Sequence, residues 1–146
     1  MRTAKVLFLT VFGCGLSPFA PGTWGAAAGV VLLFLFGWLP AFVKFLAFCA
    51  VFALAVFLSG ESEELFGEPD SPKIVVDEVL GMWVTLFGVH PSFWNVVNGF
   101  LLFRFFDIYK VPIVSRLERL PGGWGVVLDD VGAAVLANII LRVIAS

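Results

Sequence analysis

The sequence predicts an all-α fold: an integral-membrane helical bundle of about five embedded helices, preceded by a short N-terminal helix. Three observations carry that reading. Of 146 residues, 60% are hydrophobic and only 14% charged, against about 45–50% and about 25% in soluble domains. The apolar residues come in runs of helical length, broken by Pro40, by His90-Pro91 and by two polar connections. Four of the five acidic residues outside those connections form adjacent pairs within apolar segments. A large soluble core is the competing explanation, but 17 Phe and a mean hydropathy of +1.02 favour lipid as the solvent. The length suits one domain, residues 1–146.

Residues 4–13 read as a short helix. At about 1.5 Å per residue it cannot cross a hydrocarbon core of about 30 Å, so it belongs in the interface or against the bundle. Residues 14–25 contain Gly15, Pro18, Pro21, Gly22 and Gly25 and read as a rigid loop, with Thr23 capping the next helix. Residues 26–39 and 41–58 flank Pro40 as a tight apolar hairpin. Residues 59–73 hold Glu61, Glu63, Glu64, Glu68 and Asp70 and must lie in water. Helices are expected at about 74–89, 92–110 and 126–145. His90-Pro91-Ser92 turns the chain between the first two, and residues 111–125 form the second polar connection. The start resembles a signal peptide, but no small-x-small cleavage site follows, so it reads as a mature N-terminus.

Five alternating spans put the 14–25 loop and both polar connections on one side. That side carries Arg2, Lys5, Lys73, Lys110, Arg116 and Arg119; the other carries Lys44 and Arg142. The positive-inside rule makes the first side cytoplasmic. Asp77, Glu78, Asp107, Asp129 and Asp130 all fall at that end, the two pairs in the first turns of their helices. The spans are short, so local bilayer thinning is expected.

A net charge of −2 without a basic run gives no support to nucleic-acid binding. Cys14 and Cys49 lie far apart in apolar surroundings and read as buried hydrophobes, not as ligands or a disulfide. His90 falls on the far side as a turn residue, and no Ser-His-Asp or Cys-His arrangement is visible. Trp24, Trp38, Trp83, Trp94 and Trp124 fall near span ends, as interfacial anchors do.

The chemistry lies in the acidic residues. Charge inside an apolar helix is costly and marks a functional site by default. Residues 74–81 align with 126–133, each with an acidic pair followed by a small residue, Gly81 or Ala133, one turn after the first acid. Carboxylates meeting at a wet membrane face suit a hard cation such as Mg²⁺, which gives Asp77, Glu78, Asp107, Asp129 and Asp130 as candidate ligands. Dipole-stabilised caps without chemistry are the bland alternative. Arg104, Asp107 and Lys110 recur every third residue on one helix face, so that Asp107 can join the acids while Lys110 and Arg104 hold a phosphoryl oxygen; a helix-end salt bridge with a snorkelling Lys110 is the alternative. Ser17, Gly22 and Thr23 lie in a Gly-Pro loop running into a helix start, where free amides bind phosphate. It is not a Walker A loop.

With these residues in view, the chain resembles the phosphatidylglycerophosphatase A family. The resemblance rests on Gly-Leu-Ser-Pro at 15–18, Ala-Pro-Gly-Thr-Trp-Gly at 20–25, Ile-Val-Val-Asp-Glu-Val-Leu-Gly-Met-Trp at 74–83, Phe-Arg-Phe-Phe-Asp-Ile-Tyr-Lys at 103–110, and Gly-Gly-Trp-Gly-Val-Val-Leu-Asp-Asp-Val at 122–131. It implies a small helical protein of the bacterial inner membrane, with its site facing the cytoplasm, that uses Mg²⁺ to hydrolyse phosphatidylglycerophosphate to phosphatidylglycerol. On that reading Asp77, Glu78, Asp107, Lys110, Asp129 and Asp130 are catalytic, and the phospholipid is the partner. The lead-in at 67–73 departs from the expected pattern. A cation or proton transporter using the same acids is the alternative from another class; its acids should be staggered across membrane depth. A structural subunit, tolerant of amides at these positions, is a third.

Overall fold

The computed structural model describes residues 2–145, which contain helices and turns but no strand. In chain order come α1 (Arg2–Leu9), a 3-10 turn (Cys14–Leu16), α2 (Pro21–Leu35), α3 (Ala41–Ser59), α4 (Ser62–Phe66), α5 (Val76–Thr85), α6 (Phe93–Ile108), α7 (Pro112–Leu117) and α8 (Gly123–Ile144). Local chemistry sets most starts. Pro21 and Pro112 occupy the first turn of α2 and α7, where a missing N–H costs nothing. Ser92 caps α6, its Oγ accepting from the Asn95 amide at 3.3 Å.

Three helices begin earlier than the sequence suggested; one of them, α1, also ends earlier than the expected 4–13, at Leu9, with turns over 10–13. α2 starts at Pro21, so Thr23 lies on its exposed face, and the left-handed Ala20 turns the chain into the helix without a side-chain cap. α8 starts at Gly123, so Asp129 and Asp130 sit in its second turn, outside the first turn where the helix dipole acts. α5 has 10 residues, not the expected 74–89. Both polar connections hold a short helix, α4 and α7.

α5 is the centre. It packs on α2 and α8, and α8 also carries α3, α6 and α7. The α2–α5 approach needs bare backbone: a Cβ on Gly25 would lie 2.6 Å from Val75 Cβ, and one on Gly29 would lie 3.0 Å from Val79 Cα. The Trp83 indole donates to the Gly29 carbonyl at 3.0 Å across the same seam. On another face of α5, the Phe103 ring of α6 fills the space over Gly81, and Ala133 of α8 is fully buried. The two small residues therefore sit where helices meet, as their spacing implied.

α3 is different. It is the one helix among the described residues long and apolar enough to cross a membrane, and only 11% of its apolar window is buried. A core helix of a soluble protein buries most of its surface. Here Phe42, Phe45, Leu46, Leu54 and Phe57 all face outward. Cys49 is exposed on this helix and Cys14 half-buried, against the expectation of burial. The expectation took apolar surroundings to mean protein, whereas α3 turns most of its apolar surface away from it. α2 and α6 have 15 and 16 residues.

At the end remote from the acids, α8 ties down the end of short α5. Asn138 Nδ2 donates to the carbonyls of Thr85 (2.7 Å) and Phe87 (3.0 Å), and Arg142 Nη2 donates to Phe87 at 2.8 Å. Asn138→Leu should therefore cost about 2 kcal/mol, because the Thr85 carbonyl loses its donor. Denaturant unfolding in detergent micelles checks this; an unchanged midpoint would contradict it.

Candidate active site

Four stretches of chain converge on one open cleft of about 370 Å³. The start of α5 brings Asp77 and Glu78, both in its first turn. The end of α6 brings Arg104 and Asp107, with Lys110 two residues beyond it. α8 brings Asp129 and Asp130, and α2 brings Gly22. Asp77, Asp129 and Asp130 are 7%, 6% and 5% exposed, so these are interior charges and not solvated surface groups.

The five acids divide by geometry. Asp77, Glu78 and Asp130 each offer one oxygen, and the three lie within 4.8 Å of one another. Glu78 Oε2 is buried without a hydrogen-bond partner. Asp107 Oδ2 instead meets Arg104 Nη1 at 2.6 Å, and Asp129 Oδ2 meets Lys110 Nζ at 2.6 Å. Arg104 Nη1 also lies 3.7 Å from Glu78 Oε1. Its contact with Asp107 is close but poorly angled, and Nε and Nη1 are buried without a hydrogen-bond partner. Two intra-pair bonds fix the acids locally: the Glu78 amide donates to Asp77 Oδ1 at 3.0 Å, and the Asp130 amide to Asp129 Oδ1 at 2.9 Å.

Lys110 is a fixed cation. Partial burial alone would lower its pKa. The Asp129 carboxylate, with Glu118 Oε1 at 3.0 Å, outweighs that and holds the proton above the usual lysine range. It can bind an anion at neutral pH but is poorly suited to give up a proton.

Five carboxylates against two cations leave the inner cleft with excess negative charge. Three clustered carboxylate oxygens, with an unpartnered oxygen on Glu78 and nothing cationic closer than Arg104, form a donor set that suits a hard divalent cation. The residues present therefore fit such an ion, with Asp107 and Asp129 serving first as partners of Arg104 and Lys110.

The expected phosphate loop is only partly here. Gly22 lines the cleft. Ser17 does not; its hydroxyl donates to the Phe19 carbonyl at 2.9 Å and closes a local turn. Thr23 points away on α2. Arg116 and Arg119 are exposed outside the cleft. Sequence reasoning missed Glu118, one charge among several in a polar connection. It also missed the wall formed by residues 70–72, whose polarity was read only as exposure to water.

Comparison with known proteins follows the same lines. The family model for phosphatidylglycerophosphatase A matches residues 7–145. A Haemophilus influenzae phosphatidylglycerophosphatase A is 40% identical over 89% of this chain and 82% of its own length. The Escherichia coli phosphatidylglycerophosphatase A is 35% identical over 89% and 77%. A Bacteroides thetaiotaomicron protein provisionally named phosphatidylinositol-3-phosphatase is 40% identical over 94% and 91%. No solved structure matches the chain. With the family model covering nearly all of its length, the chain belongs to the phosphatidylglycerophosphatase A family and is, with that family, a phosphatase.

Proposed function

We propose that this protein is a Mg²⁺-dependent lipid phosphatase that hydrolyses phosphatidylglycerophosphate to phosphatidylglycerol and phosphate, within phospholipid synthesis. One observation carries the reading: a carboxylate trio and two cations, Arg104 and Lys110, line a single cleft. A phosphate dianion would be repelled by the excess negative charge unless a divalent cation offsets it. Asp77, Glu78 and Asp130 would hold Mg²⁺, which when bound neutralises phosphoryl charge and polarises the ester.

The remaining steps belong to the chain. Arg104 and Lys110 bind phosphoryl oxygens from the other side, and Asp107 and Asp129 hold those two cations in place. Gly22 lets the start of α2 approach the Glu78–Arg104 pair, because a side chain there would strike both. Hydrolysis forms a bond from phosphorus to the oxygen of water and breaks the ester bond, releasing the lipid alcohol.

We place α2, α3, α5, α6 and α8 in the membrane as one domain, with the bilayer thinned around the shorter helices. The Lys and Arg bias supports a cleft on the cytoplasmic side of a bacterial inner membrane. The transporter alternative is disfavoured because the acids meet at one mouth instead of being staggered through the bundle.

The relatives' names differ in lipid but share a phosphomonoester on a headgroup that also bears hydroxyls. Purified protein in mixed micelles should release phosphate from phosphatidylglycerophosphate, stop on EDTA and resume with Mg²⁺. Indifference to EDTA would overturn the metal assignment, and no release from any lipid phosphate would overturn the function.

A further inference from the structure

We propose that Glu118, which does not itself line the cleft, is a positioning residue: it gives Lys110 a second hold, so that the ammonium meets a phosphoryl oxygen in a fixed place. The proposal deepens the reading of the cleft as a lipid-phosphate site and rests on it.

Lys110 needs that second hold. It lies beyond the end of α6, in the link to α7, so no helix fixes its backbone. Its four-carbon stem is flexible, and one ion pair leaves the ammonium free to swing about a single point. Asp129, a cleft residue, supplies the first hold, with Oδ2 2.6 Å from Nζ. Glu118 Oε1 supplies the other at 3.0 Å. An ammonium carries three donors. Two carboxylates leave one of them for a substrate, and it is Lys110, not Glu118, that lines the cleft.

The chain is built to bring Glu118 back to Lys110. Pro112 opens α7 directly after the link, and fully buried Val114 packs it into the same core cluster as Ala133 and Ala134 of α8. A Cβ on Gly132 would lie 2.6 Å from Leu117 Cδ1. A Cβ on Gly125 would lie 2.5 Å from the carbonyl oxygens of both Glu118 and Leu120. Gly125 stands one helical turn before Asp129 on the same face of α8. The bare backbone of α8 thus seats the end of α7 beside the turn that carries the other partner of Lys110.

Charge and position predict opposite results, which makes the role testable. An acid 3.0 Å from an anion-binding cation weakens the pull of that cation on a phosphate. If Coulomb attraction alone mattered, removing Glu118 would help the enzyme. If Glu118 aims Lys110, removing it misplaces a group that must meet the reacting phosphoryl, and the loss falls on kcat.

The test measures kcat and KM of the full chain on phosphatidylglycerophosphate in mixed micelles with Mg²⁺, together with Tm, for wild type, Glu118→Gln and Glu118→Ala. Both substitutions are repeated in a Lys110→Met background. In Glu118→Ala kcat should fall about tenfold, short of the full cost of misplacement because Asp129 still holds Lys110, and KM should not rise. Glu118→Gln keeps an acceptor oxygen at the same reach and should recover part of the loss. Replacing Glu118 should change nothing further in the residual activity of Lys110→Met. Tm should stay near that of wild type, since the Glu118 side chain is 45% exposed. An unchanged or raised kcat, or an equal further loss in the Lys110→Met background, would overturn the proposal. A lowered Tm with kcat of the folded protein intact would overturn it too, and leave Glu118 a structural role. Wild-type protein inactive on the lipid, or Lys110→Met as active as wild type, would instead overturn the functional reading beneath it.

Discussion

Asp130→Asn should abolish phosphate release while leaving the protein folded, and at least as stable as wild type in the absence of divalent metal. The two effects share one cause. Asp130 is buried and offers one of three oxygens lying within 4.8 Å of each other. Without a cation these groups repel one another, and an amide removes one charge from the cluster. With a cation they become its ligands, and losing one forfeits several kcal/mol of transition-state stabilisation. At about 1.4 kcal/mol per tenfold, the rate should fall about a thousandfold. Mg²⁺ should raise the Tm of wild type by mass action and leave that of the variant nearly unmoved. A purely structural carboxylate would behave otherwise: its replacement would lower Tm and leave turnover of the surviving protein intact.

Gly22→Ala is the second large effect, and no ionisable group changes in it. A Cβ at this position would collide with Glu78 Oε1 and lie 2.9 Å from Arg104 Nη1 and 3.0 Å from Nη2. Neither neighbour can step aside freely, since Arg104 is held by Asp107 at 2.6 Å and Glu78 is packed beside it. Displacing these groups by about 1 Å should cost about a hundredfold in kcat. Alanine in a helix is intrinsically better than glycine by about 0.5–1 kcal/mol, so Tm should stay close to that of wild type. Measuring both together is decisive: full activity would show that the close approach of α2 has no part in the chemistry.

Some of this was legible in the chain and some was not, for definable reasons. Asp77 and Glu78 stood out because charge in an apolar run has a cost that composition alone exposes, and they do open α5. The convergence of three acidic segments followed from counting alternating helices, which needs no knowledge of packing. The depth of Asp129 and Asp130 did not follow. Gly123 and Gly125 were assigned to the 111–125 connection, yet they lie in α8, where a side chain at 123 would strike the Val56 carbonyl of α3. Tertiary crowding, invisible to local propensity, chose glycine there. Thr23 was misplaced because the loop was carried past Pro21, a residue that opens helices as readily as it breaks them, whereas Ser17 does lie in the loop but turns its hydroxyl to the Phe19 carbonyl. The division of the acids into a trio and two cation-paired members depends on side-chain distances, which spacing along the chain does not encode.

On the proposed mechanism Asp77, Glu78 and Asp130 together grip one divalent ion. Anomalous diffraction from crystals of the wild-type protein soaked in Mn²⁺ tests it most directly. A peak is expected among these three carboxylates and should be lost in Asp130→Asn. A peak held by other residues, with the trio pointing away from it, would rule out this metal site.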